Sequence, residues 1–261
     1  MNAPMMSAGS LPTYSASSAP GVPDCYLANV RPGQPLLVAI HGISRNAAEI
    51  AMRFAVHPAF RKVSIIAPLF TREGFGQYQQ MATRKRNQTR SDEGLIRLLE
   101  EIAAEHHIPT GRFRLFGFSG GAQMAHRFAM FHPERVERLC AVSAGWYSLP
   151  RTDLAYPYGI GNGEGEPLVG PQFLDIPTMV IVGNRDTRVD ESVRQDAEIV
   201  EHQGRNRLRR ARCYVRTAAA YADSLGKAGR PQLLTLHGVS HDFTQCVAEG
   251  DLLEFVAQSL V

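Results

Sequence analysis

Three residues of the 261-residue chain, Ser119, Asp186 and His241, are of the types that together make an oxygen nucleophile. A serine hydroxyl hardly attacks a carbonyl at neutral pH unless a base takes its proton as it does so. Imidazole suits that task, because its ordinary pKa of about 6.5 leaves it mostly unprotonated at pH 7. A carboxylate on the other ring nitrogen fixes the tautomer and stabilises the imidazolium formed during attack. The attack leaves negative charge on the former carbonyl oxygen, and the backbone N–H groups of Gly120 and Ile43 are placed in the sequence to receive it. Loss of one such donor typically costs about 2.7 to 4 kcal/mol of barrier.

The residues around Ser119 strengthen this reading. In Arg112-Phe-Arg-Leu-Phe-Gly-Phe-Ser-Gly-Gly-Ala-Gln123, Phe113 and Leu115 alternate with Arg114 and Phe116, as in a strand. Helical spacing of Met124, Ala125, Phe128 and Ala129 then follows. A strand that turns into a helix over G-x-S-x-G is the nucleophile-elbow pattern. The turn brings the two backbones so close that Gly117 and Gly121 are needed on either side of the serine. His237 rivals His241 as base, but it ends a strand, whereas His241 lies in the loop that opens the last helix. Asp190 and Asp242 rival Asp186, and both sit where helices begin, as caps do. His41 reads as a structural residue orienting its loop.

Such side chains need a frame. Leu36–Ile40 and Val63–Ala67 are continuous apolar runs, the mark of strands buried on both faces, the second stopped by Pro68. Further strands are expected at Cys25–Val30, Val136–Ser143, Pro177–Val182 and Gln232–Leu236. Helices are expected from Asn46 to about Phe54, where Asn46 and Glu49 have capping-box spacing, and from Thr89 or Ser91 to Pro109. Others follow the elbow to about His132, and run over Glu191–His202, Asn206–Leu225 and onward from Phe243. Strands alternating with helices imply an α/β fold with a mostly parallel sheet covered on both faces. In such a sheet functional groups collect at the carboxyl ends of the strands, where His41, Ser119, Asp186 and His241 all fall.

Residues 1–24, rich in Ser, Ala and Pro, are expected as a flexible tail without the features of a secretory signal, and 25–261 as one domain. The segment 146–175 is an insertion, a candidate lid or pocket wall, with Trp146 and Tyr147 as lining and Tyr78 on the opposite side beside Phe75 and the basic cluster of 84–90. The glycines of 159–165 lack the Lys-Ser/Thr and the strand-to-helix frame of a phosphate cradle. A net charge of +3 with 20% charged residues calls for no nucleic-acid partner, and the arginines of 205–216 read as a solvated face. No apolar run is long enough to span a bilayer. Four scattered cysteines show no metal-ligand spacing. No metal, cofactor, membrane or nucleic acid is therefore expected, and the location expected is cytoplasmic.

His41-Gly-Ile-Ser-Arg-Asn-Ala47, Gly117-Phe-Ser-Gly-Gly-Ala-Gln-Met-Ala125, Gly183-Asn-Arg-Asp186 and Gly238-Val-Ser-His241 together resemble the α/β-hydrolase superfamily. Within it they are most similar to bacterial esterases related to poly(3-hydroxybutyrate) depolymerases and feruloyl esterases, over roughly residues 25–260. The resemblance implies a serine esterase that forms an acyl-enzyme and uses no cofactor. Its roles fall on Ser119, Asp186, His241, Gly120 and Ile43. Neither the export signal nor the polymer-binding region common among extracellular depolymerases is visible, which points to a small soluble ester as substrate.

Overall fold

The computed structural model describes residues 11–81 and 89–261. Its strands are β1 (Thr13–Ser15), β2 (Asp24–Ala28), β3 (Leu36–Ile40), β4 (Ser64–Leu69), β5 (Phe113–Phe118), β6 (Val136–Val142), β7 (Thr178–Gly183) and β8 (Gln232–Leu236). They form one sheet in the order β1-β2-β4-β3-β5-β6-β7-β8. β1 pairs antiparallel with β2, and β2 antiparallel with β4. From β4 across to β8 every pairing is parallel. The helices are α1 (Ala47–Val56), α2 (Ser91–His106), α3 (Gly120–Phe131), α4 (Ala197–Gln203), α5 (Arg207–Ser224), α6 (Phe243–Glu249) and α7 (Leu252–Leu260).

The alternation of side chains along each strand divides the core in two. Leu36, Val38, Phe113 and Leu115 pack with Leu95 and Leu99 of α2, Phe128 of α3 and Tyr214 of α5. Leu37, Ala39, Phe116 and Phe118 point the other way, onto Ile50 and Phe54 of α1 and Val256 and Leu260 of α7. The central strands are thus apolar on both faces because helices cover both.

Several boundaries differ from expectation, each for a local reason. Thr13–Ser15 joins the sheet edge against Cys25–Leu27, so the expected tail does not extend to residue 24; residues 1–10 lie outside the described part. β4 continues through Pro68, which sits opposite Cys25, beyond the last pair with β3 at Val38 and Ile66. There only one neighbour asks for ladder bonds, and a missing N–H is tolerated. Residues 191–196 are not helical. The Val193 carbonyl accepts from the Gln195 side chain, and the Arg194 carbonyl from Gln195 and Arg210. Side chains have taken the acceptors a helix would use. The C-terminal helical stretch is split at Gly250-Asp251, where Asp251 has φ 50°.

The insertion 146–175 is anchored at its start. Trp146, Tyr147, Ser148 and Leu149 are buried, and Tyr156 donates to the Gln80 carbonyl at 2.6 Å. Arg84, Lys85 and Arg86, the core of the expected basic cluster, lie outside the described residues. No helix of the described residues is long and apolar enough to cross a membrane.

Candidate active site

Ser119 occupies the single residue between β5 and α3, with φ 55° and ψ −112°. A side-chain-bearing residue holds such a conformation only where its surroundings over-determine it, at a cost of about 1 to 3 kcal/mol. The surroundings here are close. A Cβ on Gly117 would lie 2.3 Å from the Gly121 carbonyl oxygen, and one on Gly121 would lie 2.1 Å from that of Ile40. The second glycine therefore serves contact with the end of β3, not with β5 alone. The Ser119 N–H donates to the Val142 carbonyl at 2.8 Å, which ties the turn to β6.

Two loops from the neighbouring strands converge on this serine. Asp186 follows β7 in a tight turn, and His241 follows β8. The loops are bonded to each other, with the Asn184 N–H donating to the Leu236 carbonyl at 2.8 Å and Arg185 to Val239 at 3.0 Å. Gly183 permits the approach, since a Cβ there would stand 2.4 Å from the Val239 oxygen. His241 Nε2 lies 3.0 Å from Ser119 Oγ, and its Nδ1 lies 3.0 Å from Asp186 Oδ2. An acceptor-only carboxylate at Nδ1 requires the proton there, which leaves Nε2 free to accept from the serine hydroxyl. The Phe118 ring stacks on the imidazole, centroids 5.3 Å apart, and restricts it to this orientation.

The rivals have other partners. His237 is exposed and paired with Asn184. Asp242 caps α6, accepting from the Gln245 N–H at 2.7 Å, and Asp190 accepts from Ser192.

Gly120 opens α3, so its N–H has no acceptor within the helix, and it sits at the positive end of the helix dipole. A Cβ on Gly120 would be 3.4 Å from the Ile43 nitrogen, so the two backbones face each other across a narrow gap beside Ser119. The loop bearing Ile43 is fixed from behind by His41. The buried His41 ring accepts from the Phe70 N–H through Nε2 at 3.0 Å, and Nδ1 donates to the Gly42 carbonyl at 2.7 Å. Tyr78 donates to the His41 carbonyl at 2.9 Å.

Burial holds His41 neutral and pushes its pKa down to about 4. The unfolded chain protonates near the ordinary value of about 6.5, so below that pH the unfolded state binds a proton that the folded state refuses. Folding stability is therefore expected to be complete above about pH 6.5 and to fall as the pH drops toward 4, by about 3 kcal/mol from this group. Denaturant melts at pH 7 and pH 4.5, with His41→Gln showing a shallower dependence, check this.

The cleft over Ser119 has a volume of about 300 Å³, and its walls include Ile43, Phe118, Phe243, Thr244, Glu49 and Asp242. Trp146, Tyr147 and Tyr78, expected to line it, do not, and all three are buried. Trp146 lies under the Arg127 guanidinium, 4.2 Å from the ring centroid. Tyr147 stacks on Tyr214 at 4.5 Å, and its backbone is bound to the Gln203 side chain at both N–H and C=O. Tyr78 stacks on Phe70 behind the gap between Gly120 and Ile43. Packing has claimed these aromatics. The Phe243 wall was foreshadowed only by its place just after His241.

Behind the site, Asp186 is only 1% exposed and its second oxygen, Oδ1, lies 3.3 Å from Arg207 Nη1, a guanidinium 2% exposed. Sequence reasoning assigned Arg207 to a solvated basic face, so this pairing was missed. Among the described residues no three His, Cys, Asp or Glu side chains converge in a way that could hold a metal ion.

No family model matches the chain, and no curated protein matches its sequence. Its fold, in contrast, is similar to that of many solved proteins. Poly(aspartic acid) hydrolase-1 from Sphingomonas sp. KT-1 superposes with a TM-score of 0.77 at 18% identity, over 96% of this chain and 97% of that one. A poly(3-hydroxybutyrate) depolymerase from Bordetella parapertussis gives 0.73 at 23% identity, over 88% and 84%. An S-formylglutathione hydrolase from Agrobacterium tumefaciens gives 0.62 at 12%, over 96% and 95%. With these likenesses and its strand order, the chain has the α/β-hydrolase fold.

Proposed function

We propose that the protein is a serine hydrolase that cleaves a carboxylic ester of a small soluble substrate through an acyl-enzyme intermediate. The observation that carries the reading is the unbroken chain from Ser119 Oγ through His241 to Asp186, both links 3.0 Å long, beside the gap between Gly120 and Ile43.

In this scheme His241 Nε2 takes the hydroxyl proton as Ser119 Oγ bonds to the ester carbonyl carbon. The N–H groups of Gly120 and Ile43 receive the oxyanion. His241 then passes its proton to the leaving alkoxide, and the C–O bond breaks to leave acyl-Ser119. Water, deprotonated by the same nitrogen, attacks the acyl carbon and releases the acid. Asp186 stays ionised throughout and holds the Nδ1 proton. The cleft of about 300 Å³ suits a small substrate, and its Ile43, Phe118 and Phe243 walls suit an apolar substituent. The names of the similar structures, two hydrolases and a depolymerase, agree with the reaction class.

The test combines turnover with labelling. Purified protein is expected to hydrolyse p-nitrophenyl acetate and butyrate, and a fluorophosphonate probe is expected to mark the peptide that contains Ser119. Absence of both would remove the proposal. Faster release in the presence of an alcohol or thiol acceptor, with acyl product on that acceptor, would reassign the same triad to acyl transfer, and preference for a thioester of the same acid would reassign it to thioester cleavage.

A further inference from the structure

The reading of Ser119, Asp186 and His241 as a triad leaves the buried charge in contact with Asp186, that of Arg207, without a role, and the inference drawn from it rests on that reading. We propose that Arg207 is a positioning residue that holds the rear oxygen of Asp186 and, by balancing its charge, sets the proton affinity of the Asp186–His241 pair.

The placement comes from the start of α5. Asn206 caps the helix, its Oδ1 accepting from the Arg209 N–H at 3.0 Å, so Arg207 is the first helical residue. The Leu208 N–H donates to the Asp186 backbone carbonyl at 3.3 Å. The helix therefore presents both its positive end and a guanidinium to the acid loop. Arg207 takes Oδ1 and His241 takes Oδ2, so the carboxylate is gripped from two sides. At its other end Arg207 Nη2 donates to Ser192 Oγ at 2.8 Å, and Ser192 in turn donates to Asp190 at 2.5 Å. Ser192 also forms part of the cleft wall. A hydrogen-bonded line thus runs from the cleft wall around to the back of the triad.

The other groups facing this pair do not substitute for Arg207. Tyr147 and Cys246 also lie near Asp186, but burial raises both, the thiol to about 12, and keeps them neutral. Arg210 stands beside Arg207 and repels it; burial lowers its pKa to about 10, and it remains a cation at neutral pH, bonded to backbone carbonyls. Asp190 reaches Arg207 only through Ser192. Among the described residues the guanidinium in contact with the Asp186 carboxylate is that of Arg207.

Removing a cation from a coupled acid–base pair raises its proton affinity, whichever of the two groups takes the proton. The acid limb of kcat/KM reports that affinity. In Arg207→Met the limb is expected to move to higher pH by about one unit or more, while Arg207→Lys, which keeps the charge, stays within about 0.3 unit of wild type. A packing role alone would lower kcat or yield in both variants and leave the limb in place, and that result would overturn the proposal. If Arg207→Met does not fold, Ser192→Asp decides at an exposed position. It sets a second carboxylate on Nη2 and is expected to move the limb up, and an unmoved limb sinks the idea. Wild-type protein without turnover in the same assay would refute the triad reading itself, a different outcome from turnover with unmoved limbs.

Discussion

Ser119→Ala is expected to lower kcat/KM for p-nitrophenyl butyrate by about 10⁴-fold or more and to abolish fluorophosphonate labelling. The magnitude follows from what the hydroxyl does in the proposed scheme. Without it there is no acyl-enzyme, and the gap between Gly120 and Ile43 can assist only direct attack by water, a residual activity of about 10³- to 10⁴-fold over solution. The fold should survive. Alanine inherits the same φ of 55°, and the lost hydroxyl bonds only His241, so the melting temperature should barely change. The double variant Ser119→Ala/His241→Ala is expected to be no slower than either single one, because the two groups act in one step. A double variant slower than both by the product of their separate effects would mean that they work independently.

Gly121→Ala is expected to damage stability and rate together. The added methyl would stand 2.1 Å from the Ile40 oxygen and 2.5 Å from that of His41, both backbone atoms that cannot rotate aside. Either α3 moves away from β3 or the His41–Ile43 loop shifts. Forced overpacking of this kind costs about 1 to 3 kcal/mol, occasionally more. Either movement also changes the spacing between Gly120 and Ile43, and in the proposed scheme the loss of one well-aligned oxyanion donor corresponds to about 10²- to 10³-fold in kcat. Gly111→Ala is the control, since a Cβ there meets nothing within 4 Å. Denaturant melts and initial rates of the two variants check this. Near-wild-type behaviour of Gly121→Ala would show that the turn is less tightly clamped than described.

How far the sequence went depends on how local each signal is. The elbow was readable because its demands are local: a strand period, two glycines four apart and a helix period. β3 begins and ends where its apolar pattern does, since burial on both faces leaves no polar position to blur the edges. Strand ends were also enough to bring Ser119, Asp186 and His241 to one edge of the sheet. β1 escaped notice because Thr13–Ser15 is short and mostly exposed, and its strand character comes entirely from β2. The cleft walls escaped for the converse reason. Ile43, Glu49 and Phe243 meet only after β3, α1 and α6 have packed, and no spacing along the chain encodes that meeting. Arg207 looked like its basic neighbours, because a buried arginine differs from a solvated one only in what lies opposite. Trp146 and Tyr147 were assigned to the cleft by proximity in sequence to a strand end, but the rings turn into the core beside Arg127 and Tyr214.

His241, the proposed base, follows β8, an edge strand of the sheet that pairs with β7. Its partner Ser119 lies 122 residues earlier in the chain. During synthesis the elbow and its flanking strands therefore leave the ribosome well before the histidine proposed to activate the serine. In the proposed scheme a nascent chain shapes its serine before it carries the base, and the pair is complete only once β8 and the loop that follows it have docked. On that proposal, the order of the residues along the chain works as a delay between building the nucleophile and arming it.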